Sequence, residues 1–453
     1  MLFLVTTMAS AAVYEVGAGK SYTTIAAVPT LVAGDTVNIH AGTYNEVKRW
    51  SASGTSGSPI TIRGIGATRP LIDATGKSVS GSGSVPRAVF QIEGSHVLIE
   101  NLELANADNG NNGAGIRITG GATNVTIRNC RIRHNDMGMM SDHCDVVLVE
   151  GCEIDHNGTV DFSGYSHNLY MGGNSITVRG CHIHSATHGQ NVKSRAHFTA
   201  LLYNRIENSQ DGEVGLVDAP DTTTANSNAV MIGNVIISKN RGSGWNSSRF
   251  VLFGAESGNA HNGTLYFINN TCIAGVASNT FLTTSHADAD LVARNNVFSG
   301  SNSLVSLTAG ATAIGSGNWA PSTASIPGGF SGTVTGAAPG FVSGSDLHLA
   351  SGSLCIDIGT AGATYLDGGG VSRSAVATHT YEGLGVLTAR SDSGAPDAGA
   401  YAGPSSSGGG GGGGTPPPSS GLSSGGGGCG VGGGVAGLAF ALCLLMQRPR
   451  RPR

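Results

Sequence analysis

The chain has 453 residues, 72 of them glycine, with only 12% charged side chains and a formal net charge of −4. The glycines lack a three-residue period, which excludes collagen, and the charge balance gives no general drive toward nucleic acid. Eight cysteines without a close CxxC pair argue against a zinc ribbon or finger.

Residues 1–12, MLFLVTTMASAA, are apolar and end near Ala9-Ser10-Ala11. They read as a short signal peptide without a basic start, or as an apolar lead-in to a first strand. From there to residue 403 one signal dominates, an imperfect repeat. Its copies begin at Val97 (VLIENLELANA), Val125 (VTIRNCRIRHN), Val146 (VVLVEGCEIDHN), Ile176 (ITVRGCHIHSA), Ala200, Ala229, Leu265 and Leu291, at spacings of 21 to 36 residues. Each copy holds two short period-2 runs parted by Asn or Gly. A short strand with one apolar face is unstable alone; stacking coil on coil buries a continuous core and pairs the backbone groups between coils. The expected fold is therefore all-β, a single-stranded right-handed parallel β-helix, or solenoid. Cys130, Cys152 and Cys181 recur at one place in successive copies and are expected to stack inward as small hydrophobes.

A further strand per coil aligns as GIRITG from Gly115, GMMSDH from Gly138, NLYMGG from Asn168, NVKSRA from Asn191 and EVGLVD from Glu213. Strand alternation turns Ile116, Met139, Leu169, Val192 and Val214 inward, with Ile118, Ser141, Met171, Ser194 and Leu216. Arg117, Met140, Tyr170 and Lys193 form one outward column. Thr119, Asp142, Gly172, Arg195 and Val217 form the next. Lys193, Arg195, Tyr170 and His167 are the candidate catalytic groups, and His188, Asp142 and Arg117 the candidate substrate contacts. A second outward patch, Arg131, Glu153, His182 and Arg205 beside Arg133, Asp155, His184 and Glu207, alternates in sign and reads as structural ion pairing. Asp211, Glu213 and Asp218 offer carboxylates for a cation, against the commoner reading of loop acids as solvated. Asp142 and Asp218 lie three coils apart, at about 4.8 Å per coil, too far for the carboxyl pair of a glycosidase.

Residues 404–428 are built on Ser, Gly, Pro and Thr and read as a flexible linker. Residues 429–453 hold Cys429, a 16-residue apolar run from Val431 to Met446 and an Arg-rich end, read as a transmembrane helix or sorting tail.

Three resemblances follow. The segment Tyr22 to Glu46 is similar to the N-terminal cap of right-handed β-helix proteins, where a short helix covers the open core before a Gly-Asp turn. The tail around Gly428-Cys429-Gly430 resembles myxobacterial sorting tails, which implies export to the cell surface or outer membrane, or release, and a partner in sorting or processing machinery. Val192-Lys193-Ser194 resembles the V-K-S element of β-helix polysaccharide lyases of the alginate lyase and chondroitinase B type. That likeness implies an acidic polysaccharide as partner, Lys193 as Brønsted base, an arginine in support and calcium on the substrate carboxylate. The family's acidic calcium pair has no counterpart, since Ala186 and His188 stand in its place, and no metal ligand is assigned. A non-enzymatic surface protein for adhesion or glycan binding needs only the same scaffold, so whether the chain is an enzyme stays open. A monomer is expected, without a nucleic-acid partner.

Overall fold

The computed structural model describes residues 11–238, 249–276 and 279–404. Of the signal-peptide reading of residues 1–12 all but the last two residues fall outside them, as do the linker and tail readings beyond residue 404. The expected transmembrane helix is corrected: among the described residues no helix is long and apolar enough to cross a membrane, and Val431–Met446 lies outside that set.

The described chain winds as a right-handed parallel β-helix. Three parallel sheets of 13, 12 and 10 strands run along it, here sheets A, B and C in the order one coil visits them. One coil comprises Val97–Glu100 in A, Glu103–Ala105 in B and Ala114–Ile118 in C. The A-to-B corner needs a left-handed backbone residue. Asn101, Asn129, Asn269 and Asn295 take it at φ 48 to 58°, and Gly151, Gly180 and Gly233 at φ 59 to 66°. This is why Asn or Gly parts the two runs of each repeat. Tyr203 occupies the same corner at φ 55°, braced where its hydroxyl accepts the Thr378 backbone N–H at 3.0 Å.

Inside the coil the expected sulfur ladder is present: Cys130 N–H points at Cys152 Sγ (3.4 Å) and Cys152 N–H at Cys181 Sγ (3.3 Å), all buried thiols. Asparagines then continue it. Asn204, Asn234, Asn270, Asn296 and Asn318 stack: Asn204 Oδ1 accepts the Cys181 N–H, and each later side-chain oxygen accepts both the backbone and the amide N–H of the asparagine one coil earlier. A second ladder runs Asn135, Asn157, Asn168, Asn191 and ends on Glu213.

The N-terminal cap departs from expectation, because no helix forms between Tyr22 and Glu46. Ile25, Val28 and Leu31 still plug the open core. Glu46 accepts the backbone N–H groups of Ile25 (3.0 Å) and Ala26 (2.8 Å), and the Lys48 ammonium donates to the carbonyls of Ile25, Ala26 and Val28. Two side chains thus satisfy the groups a helix would pair internally, and Pro29 has no N–H to offer a helical turn. Residues 341–401 fold back along the downstream coils. Ala363, Ala375 and Ala377 cover Phe198, Ala200 and Val230 of sheet A, and Leu347, Ala400 and Tyr401 pack on Val235 of sheet B.

Candidate functional site

Sheet C has the register expected from sequence. Ile116 pairs with Met139, Met139 with Leu169, Leu169 with Val192, and Val192 with Val214; all five are buried in the core. Arg117, Met140, Tyr170 and Lys193 accordingly share the outward column.

That column is roofed rather than open. Phe162, from the loop between Asp155 and Leu169, packs with Tyr170 against Met140, Met137 and Ala114. Arg117 is nearly buried with its guanidinium on Met140 Sδ at 3.0 Å. Lys193 is only 4% exposed. Its ammonium meets Glu256 Oε2 at 2.5 Å, and Arg195 Nη2 reaches the same oxygen at 2.7 Å. Arg195 Nε donates to the Tyr170 hydroxyl at 3.0 Å, and Nη1 donates to the Asp218 carbonyl and to Ser257 Oγ. The rings of Tyr170 and His167 lie 5.6 Å apart. Tyr170, His167, Lys193 and Arg195 therefore form one cluster. Asp142 stands apart, exposed and next to His143 (3.3 Å). His188 lies partly buried before the strand, where its carbonyl accepts the N–H of Gly164.

The reading of Glu213 and Asp218 as solvated loop acids is corrected, because both are buried. Glu213 accepts from Asn191 and from the Ser209 N–H, closing the second ladder. Asp218 is the anchor of the roof: it accepts the backbone N–H groups of Glu256, Ser257 and Asn259. Burial works against its charge, but those donors outweigh it and hold its pKa at about 2. Glu256, which neutralises both cations, was missed from sequence. It belongs to the loop after Arg249–Gly254, two coils beyond Lys193, and no repeat position marks it.

Burial lowers the pKa of Lys193; Glu256 opposes that shift and Arg195 adds to it. His167 is pushed well down, by burial first and then by Lys193 and Arg195. Its Nδ1 accepts the Gln190 N–H at 2.9 Å, so the ring is neutral with its proton on Nε2. A neutral imidazole is a poor acid, which leaves Tyr170 as the better donor in this cluster. One corner downstream an open cleft of about 490 Å³ is lined by His143, Asp145, Asn174, His197 and Asp221. It adjoins Arg195 through Ala196 but does not include Lys193.

Sheet B carries the alternating column as expected. Arg131 pairs with Glu153 and Asp155, His182 and Arg205 with Glu207, and Arg133 with Glu103. Glu153, His182 and His184 together are able to coordinate a metal ion, a set consistent with calcium but not specific to it.

A family model described as "right handed beta helix region" matches residues 73–230. Among solved structures, a pectate lyase, Pel9A, is similar at 16% identity and a TM-score of 0.52, over 88% of this chain and 98% of its own. An alginate lyase from Paenibacillus sp. str. FPU-7 follows at 18% identity and 0.47, over 62% and 91%. A rhamnogalacturonan lyase stands at 14% and 0.47, over 72% and 86%. The search of curated proteins returned no match. The β-helix scaffold is thus shared with a carbohydrate-active enzyme, the pectate lyase.

Proposed function

We propose that the chain is an exported polysaccharide lyase that cleaves a uronic-acid-containing polymer by β-elimination. The observation that carries this reading is the convergence of Lys193 and Arg195 on a single carboxylate oxygen, with the Tyr170 hydroxyl hydrogen-bonded to the same guanidinium. A guanidinium on the carboxylate is what makes the C5 proton of a uronate acidic; Arg195 is placed to supply it, with Lys193 beside it to act as the neutral amine. Glu256 holds that place in the present state, and a substrate carboxylate would replace it.

Lys193 then takes the C5 proton. The C4–O bond breaks as the C4=C5 double bond forms, and Tyr170 gives its proton to the leaving oxygen. Tyr170 is suited to this because its oxygen accepts from Arg195, leaving its own O–H to donate. Lys193 serves as base only as the neutral amine, toward which burial and Arg195 push it while Glu256 and Asp211 oppose them. Of the proposed substrate contacts, Arg117 shares the column of Tyr170 and Lys193, His188 precedes the Lys193 strand, and Asp142 stands apart beside His143.

A second reading has its own support. Lys193 is buried and already neutralised, as in a surface β-helix that binds glycans or mediates adhesion without turnover. Wild type and Lys193→Ala incubated with alginate, pectate and glycosaminoglycans separate the two. The lyase reading requires unsaturated ends, seen by ultraviolet absorbance, from wild type and none from the variant. Binding without such products from either protein sinks it.

A further inference from the structure

We propose that Glu153, His182 and His184 on sheet B form a site for a divalent cation of the transition series, of the zinc class, separate from the Lys193 cluster on sheet C. Glu153 projects from one coil, and His182 and His184 from the next, with Ile183 between them turned into the core. One ligand atom from each lies within 4.8 Å of the other two. All three side chains are partly exposed, at 16 to 25%, so an ion can enter.

The surroundings already orient each ligand. His182 Nε2 meets the Glu207 carboxylate at 3.0 Å, which leaves Nδ1 for a metal. His184 Nδ1 meets Ser185 Oγ at 3.1 Å, which leaves Nε2. Glu153 turns Oε2 to the Arg131 guanidinium (3.4 Å) and Oε1 to His184 Nε2 (3.5 Å). A histidine whose other nitrogen is held by a carboxylate or hydroxyl, and a carboxylate whose other oxygen is held by a donor, are the supports that fix metal ligands. The 3.5 Å between Oε1 and Nε2 is close to the roughly 3.4 Å expected across a tetrahedral ion with bonds of about 2.1 Å.

Two imidazoles with one carboxylate select zinc or its neighbours over calcium, which takes six to eight oxygen donors. Local charge permits a dication. The guanidiniums of Arg131, Arg133 and Arg205 are outnumbered by the carboxylates of Glu103, Glu153, Asp155 and Glu207. The ion would tie two adjacent coils together and leave a fourth position for water.

Metal-free full-length protein titrated with zinc, cobalt or calcium chloride tests this. Wild type should bind one more zinc ion per chain than His182→Ala/His184→Ala. Zinc should raise the melting temperature of wild type only. Cobalt should give the visible bands of nitrogen and oxygen ligation, and calcium should bind at least 100-fold more weakly. Should the double variant fail to fold, Glu153→Gln serves in the same comparison. Equal zinc stoichiometry in wild type and variant, or tighter binding of calcium than of zinc, overturns the proposal.

Discussion

Replacing Glu256 by glutamine removes the one carboxylate oxygen shared by Lys193 and Arg195. An exposed ion pair is worth about 0.2–1 kcal/mol, whereas breaking a buried one from one side costs about 3–5 kcal/mol. Here the lysine side chain is 5% exposed and the glutamate 37%, so Glu256→Gln should cost about 1–3 kcal/mol, between those limits. The loss is asymmetric. Lys193→Met leaves Glu256 its contact with Arg195 at 2.7 Å and should cost under about 1 kcal/mol, since an apolar side chain often replaces a buried charge without loss. Guanidinium unfolding of the wild type, both single variants and the double variant gives the coupling directly, provided the slope stays constant. Equal losses from the two single changes, or a coupling below about 0.3 kcal/mol, would refute the argument that Glu256 compensates a buried lysine. Activity adds an independent readout. If Glu256 holds the place of the substrate carboxylate, Glu256→Gln weakens that internal competitor and lowers KM for the cleaved uronan, while Lys193→Met abolishes turnover.

Asn234→Ala should cost about 2–4 kcal/mol, because both N–H donors of Asn204 lose their acceptor inside the coil; Asn234→Cys should cost less, since sulfur fills the same role at Cys152 and Cys181. A melt of Asn234→Ala indistinguishable from wild type would show that the ladder contributes nothing. Asp218 and Glu207 have pKa values lowered to about 2 from 3.8 and 4.5. Groups depressed in this way give stability that is present above the unfolded values and lost as the pH falls from about 4 toward 2. Asp218→Asn should therefore lie about 2 kcal/mol below wild type at neutral pH, with the gap closing in acid; a gap independent of pH would mean that the carboxylate charge is not what holds the roof.

Much of the coil was legible because its determinants are local. An apolar residue at every second position and an Asn or Gly at the left-handed corner fix which side chain faces in, and so align Arg117, Met140, Tyr170 and Lys193. The N-terminal cap was misread because residues distant in sequence, Glu46 and Lys48, satisfy the backbone there. Glu256 was invisible for a similar reason. It reaches Arg195 across 61 residues from a loop outside the repeat, and its position depends on the Asp218 carboxylate gathering three backbone N–H groups. The polar run Glu256-Ser257-Gly258-Asn259 after an apolar strand was the one available hint. Periodicity reports facing, not what a loop lays over a face.

The three faces of the solenoid also differ in what they leave to a ligand. Over the downstream coils, residues 341–401 cover parts of sheets A and B with apolar contacts, and such contacts do not open locally without exposing core. The upstream coils of sheet B are occupied by ion pairs linking one coil to the next. Sheet C is roofed by Phe162 with apolar contacts over Met140 and Tyr170, but over Lys193 and Arg195 the hold is polar: a carboxylate on backbone N–H groups and a glutamate on two cations. Polar contacts of that kind exchange for others of the same chemistry at little net cost. On the proposed lyase function, a uronate carboxylate takes over the contact that Glu256 makes with Arg195, and sheet C is the face where a charged polymer displaces the protein's own cover.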